Sequence, residues 1–166
     1  GELIVAAKEL GWRYTTSTPG IPQTNGLAER IVDEMKDGGC TALCQAGVAR
    51  LWSTYATQFY CFDHDIAEAD DDAAYSEKHK RGGFAGMRIS FSALLDFMPQ
   101  ADQIFKELES KTNQGIFLGW HLLAGGVLSG DYFVADFEAL RKDFDAPPHM
   151  MKPHRMKEVL KPAGEF

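Results

Sequence analysis

The sequence lacks a long apolar run. Its 166 residues contain no stretch of about 18 apolar side chains, so neither a membrane-spanning helix nor a membrane partner is predicted. The N-terminal residues also lack the basic residues, apolar run and small-residue cleavage site of a secretion signal. Apolar residues nevertheless make up 45% of the chain. This fraction indicates a buried core and argues against wholesale disorder.

Cysteine is scarce as well. The chain has three cysteines, an odd number. Cys40 and Cys44 are one helical turn apart and no paired Cys-x-x-Cys follows, so the spacing suits a helix face better than a zinc knuckle. Reduced thiols packed on helices predict an intracellular protein.

Basic residues are outnumbered by acidic ones. The formal net charge is −7, whereas free-standing DNA-binding modules usually carry a basic excess. The composition therefore weighs against such a module. The charge is also uneven, because residues 68–72 (EADDD) are acidic and residues 141–161 are more basic. This asymmetry favours a chain of several parts over one uniform surface.

Helical periodicity marks the first 66 residues. A helix is predicted over residues 26–36, and the pair Gly38-Gly39 is expected to interrupt it. A longer helix is predicted over residues 48–66, where apolar residues at steps of three and four form a face that packs in a core. The apolar stripe of the first of these helices consists of Leu27, Ile31 and Met35.

The periodicity changes to two in the second half of the chain. Residues 88–97 alternate between apolar and polar side chains, which predicts a half-buried strand. Residues 115–122 and 131–137 are further strand candidates, joined by a glycine-rich turn. Between the helical and the alternating halves, residues 67–85 are polar and acidic, with a short helix expected around residues 73–80. We interpret this stretch as a linker.

The fold class expected from these patterns is α+β. A helix-rich segment over residues 1–66 is followed, after the linker at 67–85, by a small β-barrel-like module over residues 86–140. Residues 141–166 form a basic, proline-containing tail.

The most informative motif is Thr18–Arg30, TPGIPQTNGLAER. Its prolines and glycines predict an ordered loop that leads into a helix. The motif resembles the end of the integrase core in copia-type (Ty1/copia) retrotransposon polyproteins, where a loop with Pro-Gln-x-Asn-Gly precedes a helix that carries Ala-Glu-Arg. The resemblance implies a ribonuclease-H-like core. It also implies that Glu29 is the third carboxylate of the family's Asp, Asp, Glu set.

Further stretches extend the resemblance over most of residues 1–125. Residues 1–3 (GEL) resemble the sequence after the family's second aspartate, so both aspartates are expected to lie outside this chain. Residues 84–99 loosely resemble the region where the family leaves the core. Residues 115–120 (GIFLGW) resemble the Gly-Ile-Phe-Leu-Gly-Tyr signature of the family's C-terminal β segment. The two strongest signatures occur in the family's order.

The resemblance implies DNA integration by metal-dependent strand transfer, in the nucleus. Such a displacement at phosphorus uses two divalent ions about 3.5–4 Å apart, and hard ions prefer carboxylate oxygens. Glu29 is therefore the implied catalytic residue and metal ligand. Magnesium or manganese is the implied cofactor of the intact enzyme, with none expected on this fragment alone. The implied DNA-binding residues are Gln23 and Asn25 in the loop, and Arg30 and Lys36 as phosphate contacts.

A simpler explanation for Glu29 stays open. Acidic residues are common in the first turn of a helix, where they face the positive end of the helix dipole. Asp33, one turn further on, makes the same face more acidic than DNA phosphates favour. Three functions therefore compete: a truncated integrase that is inactive alone, a non-catalytic nucleic-acid-binding remnant, and an interaction module whose exposed core face recruits a protein partner or self-associates.

The other polar clusters favour structural roles. The acidic run at 68–72 lacks the EF-hand pattern, and His64 between Asp63 and Asp65 suits a surface turn at a helix end. The bases of the tail suit a solvated segment. The histidines and bases of this tail are His149, His154, Arg155, Lys157 and Lys161.

Overall fold

The computed structural model describes residues 2–11, 25–69, 72–79, 83–98, 112–143, 148–151 and 153–160. The chain divides into two compact units, with the division between Glu34 and Met35. The predicted domains divide at a different place, after residue 66. Among the described residues, no helix combines the length and the apolar character needed to cross a membrane.

The first unit contains α1 (Glu2–Glu9) and the start of α2 (Gly26–Ala46). The helix predicted over residues 26–36 is therefore confirmed in its beginning. Its predicted interruption at Gly38-Gly39 is wrong, because α2 continues through both glycines to Ala46. The second part of α2 lies in the second unit, where Gly39, Ala42 and Leu43 are buried.

Close packing against the next helix explains the glycine pair. Helix α3 (Ser53–Ile66) follows a short 3-10 helix, Arg50–Trp52, and confirms most of the helix predicted over residues 48–66. A Cβ atom on Gly39 would lie 2.6 Å from Thr57 Oγ1 and 3.2 Å from Thr57 Cα, and one on Gly38 would lie 2.2 Å from the ring of Tyr60. Glycine lowers helix stability by about 1 kcal/mol per residue. Here it allows α2 and α3 to approach each other.

A curled antiparallel sheet of five strands forms a half-barrel in the second unit. Its strands run in the spatial order β6-β5-β4-β3-β7. Two predicted strands are confirmed as β4 and β5, and the mixed α and β class is confirmed too. The strand bounds are β3 Leu94–Phe97, β4 Asn113–Leu122, β5 Leu128–Asp136, β6 His154–Met156 and β7 Val159–Leu160.

The strand predicted over residues 88–97 is only partly confirmed. Regular pairing begins at Leu94, because Ser92 adopts a positive φ of 62° in the turn before it. Ile89 and Phe91 are nevertheless buried, as the alternating pattern requires. The period of two therefore predicted which side chains enter the core, although the backbone joins the sheet later in the sequence than expected.

The stretch interpreted as a linker contains packed residues. It holds a two-residue hairpin, β1 (Glu68–Ala69) with β2 (Asp72–Ala73), and the predicted short helix, α4 (Ala74–His79). The rings of Tyr75 and Phe84 lie 5.8 and 5.7 Å from the ring of Phe62 in the core. The described part of this segment thus contributes side chains to the core.

The tail also differs from its prediction as a solvated segment. After α5 (Phe137–Lys142) and α6 (Pro148–Met151), residues 154–156 and 159–160 form the two edge strands of the half-barrel. Arg155 binds the buried carboxylate of Asp131, with its Nη2 atom 2.5 Å from Asp131 Oδ2. His154 stacks on Phe97 at 5.5 Å between ring centroids. These polar residues of the tail therefore stabilise the sheet.

Candidate functional site

Glu29 lies in the first turn of α2, as predicted, and its side chain is exposed. Asn25 directly precedes the helix and Arg30 follows Glu29, and both are exposed. Gln23 lies outside the described residues. The helical position of Glu29 is confirmed, whereas its role as a metal ligand stays a prediction.

Acidic residues dominate the exposed surface of α2 around Glu29. From residue 29 to residue 37 the helix carries four carboxylates and two cations, all exposed. Lys36, the second predicted phosphate contact, is one of these cations and lies in the second unit. Phosphates favour a basic surface, so this charge pattern does not favour DNA binding by the helix alone. The acidic residues are Glu29, Asp33, Glu34 and Asp37.

A divalent ion needs more ligands than Glu29 provides. Magnesium keeps several waters but still requires well-placed carboxylates, and a two-ion centre requires several. Within the described ranges, no group of three or more His, Cys, Asp or Glu side chains is arranged to hold a metal ion. The described residues do not fit a two-ion centre by themselves.

A cleft of about 600 Å³ lies in the second unit, and sequence reasoning did not predict it. It is bounded by α3, by α4 and by the β4–β5 hairpin. Its wall contains Trp120, whose ring stacks on Phe59 with 5.3 Å between centroids and 13° between planes. Trp120 Nε1 donates a hydrogen bond to the Met87 carbonyl at 3.0 Å, which fixes the orientation of the indole.

Two more half-buried rings line the cleft beside this stack. Phe133 lies edge-on to Tyr55, with 6.4 Å between centroids, and edge-on to His121, with 5.4 Å. Aromatic rings in edge-to-face pairs hold one another in place. The cleft therefore has a wall of positioned aromatic side chains.

Strand β4 is irregular where it borders the cleft. Its pairing with β5 shifts register between Phe117 and Gly119 and again between Trp120 and Leu122. Gly119 has a φ of +143°, which side-chain-bearing residues rarely adopt, and within the described part of the chain no atom lies within 4 Å of the position its Cβ would occupy. Bulges of this kind commonly occur beside functional sites, because they redirect side chains.

Polar side chains form the rim of the cleft. Thr57, Cys61 and Asp65 lie one turn apart along α3, while Lys78 on α4 and His121 on β4 also line the cleft. Burial, and to a smaller extent the Asp65 carboxylate, raises the pKa of the Cys61 thiol above its ordinary value. Cys61 is therefore largely protonated at neutral pH, which disfavours it as a nucleophile.

Hydrogen bonds fix the tautomer of His121. The Ser129 hydroxyl donates its one proton to the His121 carbonyl at 2.8 Å. The Ser129 Oγ atom also lies 2.8 Å from His121 Nδ1, and it accepts a further bond from the Asp131 amide at 3.2 Å. Since the hydroxyl proton is engaged, the neutral imidazole carries its proton on Nδ1. The Nε2 atom is left as the acceptor of the ring.

Among the described residues, His64 and its acidic neighbours are not arranged as a metal cluster. Residues 63–65 lie in the last turn of α3. Burial raises the pKa of Asp63, and the charges of Arg88 and His64 partly oppose this rise. Arg88 Nη2 donates a hydrogen bond to the Ile66 carbonyl at the end of the helix, at 2.6 Å. Arg88 therefore stabilises the helix end, and residues 63–65 lie at a helix end as predicted.

Comparisons of the chain with protein-family models, with curated proteins and with solved structures give no match. The resemblance to copia-type integrases therefore depends on the sequence signatures alone.

Proposed function

We propose that this chain is part of the integrase region of a copia-type retrotransposon polyprotein and serves DNA integration as a portion of that enzyme. The observation that carries the proposal is the position of Glu29. It is exposed in the first turn of an α-helix that directly follows the loop motif Pro-Gln-x-Asn-Gly. In this proposal residues 1–66 derive from the C-terminal half of a ribonuclease-H-like core.

The second signature supports the same proposal. Residues 115–120 (GIFLGW) form most of β4, the central strand of the half-barrel, and all six are buried. A β segment downstream of the helix with Ala-Glu-Arg is what the resemblance implies. In this proposal residues 115–120 form the core of a separate β module and take no part in strand transfer.

The proposed contribution of this chain to catalysis is to position one carboxylate. A helix that follows a proline-rich loop places its first-turn side chains in a defined geometry. Magnesium or manganese, when bound in the whole enzyme, would stabilise the charge that develops at phosphorus. Because the described residues offer one matching carboxylate, we propose that this portion has no strand-transfer activity by itself.

The proposal is tested by a strand-transfer assay on the longest natural polypeptide that contains these residues. The assay follows joining of a labelled donor duplex to a target duplex with magnesium or manganese. We expect Glu29→Gln to abolish joining, because an amide is a poor ligand for a hard cation. Glu9→Gln, which changes an exposed glutamate of α1, is the matched control and should retain the activity. Full activity of Glu29→Gln would contradict the proposed role.

Self-association is a second candidate function, and one observation favours it. The first two turns of α2 expose Leu27, Ile31 and Val32, which are 75%, 43% and 47% accessible. Apolar residues that cluster on an exposed surface often mark interaction sites. Sedimentation velocity over a range of concentrations tests this function. We expect Leu27→Gln with Ile31→Gln to reduce association, whereas Leu123→Gln, at a residue 52% accessible elsewhere, should not. A wild-type chain that remains monomeric would rule it out.

A further inference from the structure

We propose that the cleft between α3, α4 and the β4–β5 hairpin binds a planar, uncharged nitrogen heterocycle of nucleobase size. This function is independent of the proposed integrase role, since Glu29 does not line the cleft. The volume of about 600 Å³ lies within the range of small-molecule sites. Shape, rim chemistry and charge identify the class of ligand.

The wall of the cleft favours a flat ring. Three half-buried rings line it: Phe59, which stacks on the buried indole of Trp120, and the edge-on pair of Tyr55 and Phe133. Flat heterocycles stack on such aromatic surfaces with little dependence on their identity. Because the indole is held by its hydrogen bond to Met87, binding requires little reordering of this wall.

The rim of the cleft favours a ring with donors and acceptors in its plane. Asp65 offers acceptors, Lys78 offers donors, and Gln58 offers both. His121 adds an acceptor at Nε2, because its Nδ1–H is engaged by Ser129. A nitrogen heterocycle with amino and keto substituents could form hydrogen bonds with both donors and acceptors of the rim, whereas a carbocyclic ring could form none.

The charges favour a neutral ligand. Among the described residues that line the cleft, the Asp65 carboxylate and the Lys78 ammonium group cancel, so this part of the rim has no net positive charge to attract a phosphate. The chain as a whole has a net charge of −7, which repels polyanions at long range. A free nucleoside is therefore expected to bind better than the corresponding nucleotide or a nucleic-acid strand.

Alkylation of the cysteines tests the proposal in the intact chain. Cys61 lines the cleft and is half-buried, whereas Cys40 and Cys44 are exposed and do not line it. With N-ethylmaleimide and peptide mass spectrometry, adenosine should slow the modification of Cys61 several-fold and leave the rates at Cys40 and Cys44 unchanged. No protection at about 10 mM adenosine, well above a millimolar Kd, would overturn the proposal. Equal slowing at all three thiols would overturn it too.

Two variants and two further ligands sharpen the test. Gln58→Ala removes a rim group and should raise the half-protecting adenosine concentration about three- to tenfold. Thr54→Ala, at an exposed residue of α3 outside the cleft, should leave it unchanged, and equal effects would contradict the assigned site. Stronger protection of Cys61 by adenosine monophosphate or by a short oligonucleotide than by adenosine would overturn the proposal of an uncharged ligand. Glu29→Gln should not alter protection, which separates this inference from the proposed integrase role.

Discussion

The two signatures that carry the family resemblance occupy opposite environments. The described end of the first, residues 25–30, is exposed, whereas the whole of the second, residues 115–120, is buried. An exposed motif with polar side chains is constrained by what it binds, and a buried apolar motif by what it packs against. The exposed residues of the first signature are therefore candidates for contact with a partner, while the second signature forms the core of the β module and supports the cleft through Trp120.

The glycines of the two regions show the same contrast. A Cβ on Gly115 would lie 2.4 Å from Val134 Cγ1 and 2.9 Å from the Ala135 carbonyl oxygen. A Cβ on Gly26 would meet no atom of the described residues within 4 Å. The glycine at 115 is thus required by the packing of β4 against β5. At position 26 the packing of the described residues imposes no such requirement.

Replacing the buried centre of β4 should have the largest effect. Phe117 is fully buried, so Phe117→Ala removes a large ring from the core and should lower the free energy of unfolding by about 3–5 kcal/mol. Leu27→Ala, at a residue 75% accessible, should change it by less than about 0.5 kcal/mol. Urea denaturation measures both. An equal loss in Leu27→Ala would show that the face of α2 is covered, and would remove the contrast between the regions.

Breaking the ion pair between β5 and β6 should have the next largest effect. The Asp131 side chain is 6% accessible and that of Arg155 is 54% accessible. Arg155→Met leaves a buried carboxylate without its partner and should cost about 3 kcal/mol. Asp131→Asn leaves a half-exposed guanidinium that water can solvate, and should cost about 1–2 kcal/mol. Chemical denaturation should therefore show a larger loss of unfolding free energy for Arg155→Met than for Asp131→Asn, and the reverse order would contradict the prediction.

An exposed pair on α5 is the control for this prediction. Arg141 and Glu138 are 3.5 Å apart, with side chains 71% and 62% accessible. Arg141→Met should therefore change the free energy of unfolding by less than about 0.5 kcal/mol. A loss at Arg141 equal to that at Arg155 would mean that charge, rather than burial, determines the cost.

The glycine pair of α2 should give a smaller and position-dependent effect. Gly39→Ala places a Cβ against the backbone of Thr57, and should cost about 1 kcal/mol after the gain in helix propensity is subtracted. Gly38→Ala meets the half-buried ring of Tyr60, which can turn aside, so its loss should be smaller. Gly26→Ala is the control without a close neighbour. Thermal unfolding that ranks Gly38→Ala as the worst would contradict the described approach of the two helices.

Sequence patterns predicted those elements whose signals are local. The helices around Leu27 and along residues 53–66, and the strands that became β4 and β5, follow directly from apolar periodicity. Gly38 and Gly39 were expected to end α2, because helix propensity contains no information on a neighbouring helix. The contact with Thr57 that overrides propensity joins residues 18 positions apart, so a local pattern could not reveal it.

The two candidate sites, Glu29 and the cleft, also differ in how far local sequence signals could predict them. Glu29 was found from a contiguous motif, and its helical position needed only local signals. The cleft brings together residues from α3, α4 and the β4–β5 hairpin, and each taken alone has an ordinary structural explanation. The one local signal was Gly119, a glycine inside a predicted strand, which often marks a bulge. The edge strands after residue 153 were missed because strands of two and three residues are too short to show a period.

The cysteines allow the smallest effect to be measured within one molecule. Burial and the Asp65 carboxylate both raise the pKa of Cys61, and the thiolate is the species that is alkylated. At pH 8, Cys61 should therefore react more slowly than the exposed Cys40 and Cys44, and the difference should narrow as the pH rises towards the Cys61 pKa. Asp65→Asn removes the nearby negative charge and lowers that pKa, so Cys61 should react about two- to fivefold faster. Because burial is the larger cause, Asp65→Asn should not make Cys61 as reactive as the two exposed thiols.

Equal alkylation rates at all three cysteines in the wild-type chain would contradict this prediction. They would show that α3 and β4 leave the cleft open to solvent, so that Cys61 in the β module is no more protected than the exposed thiols of α2.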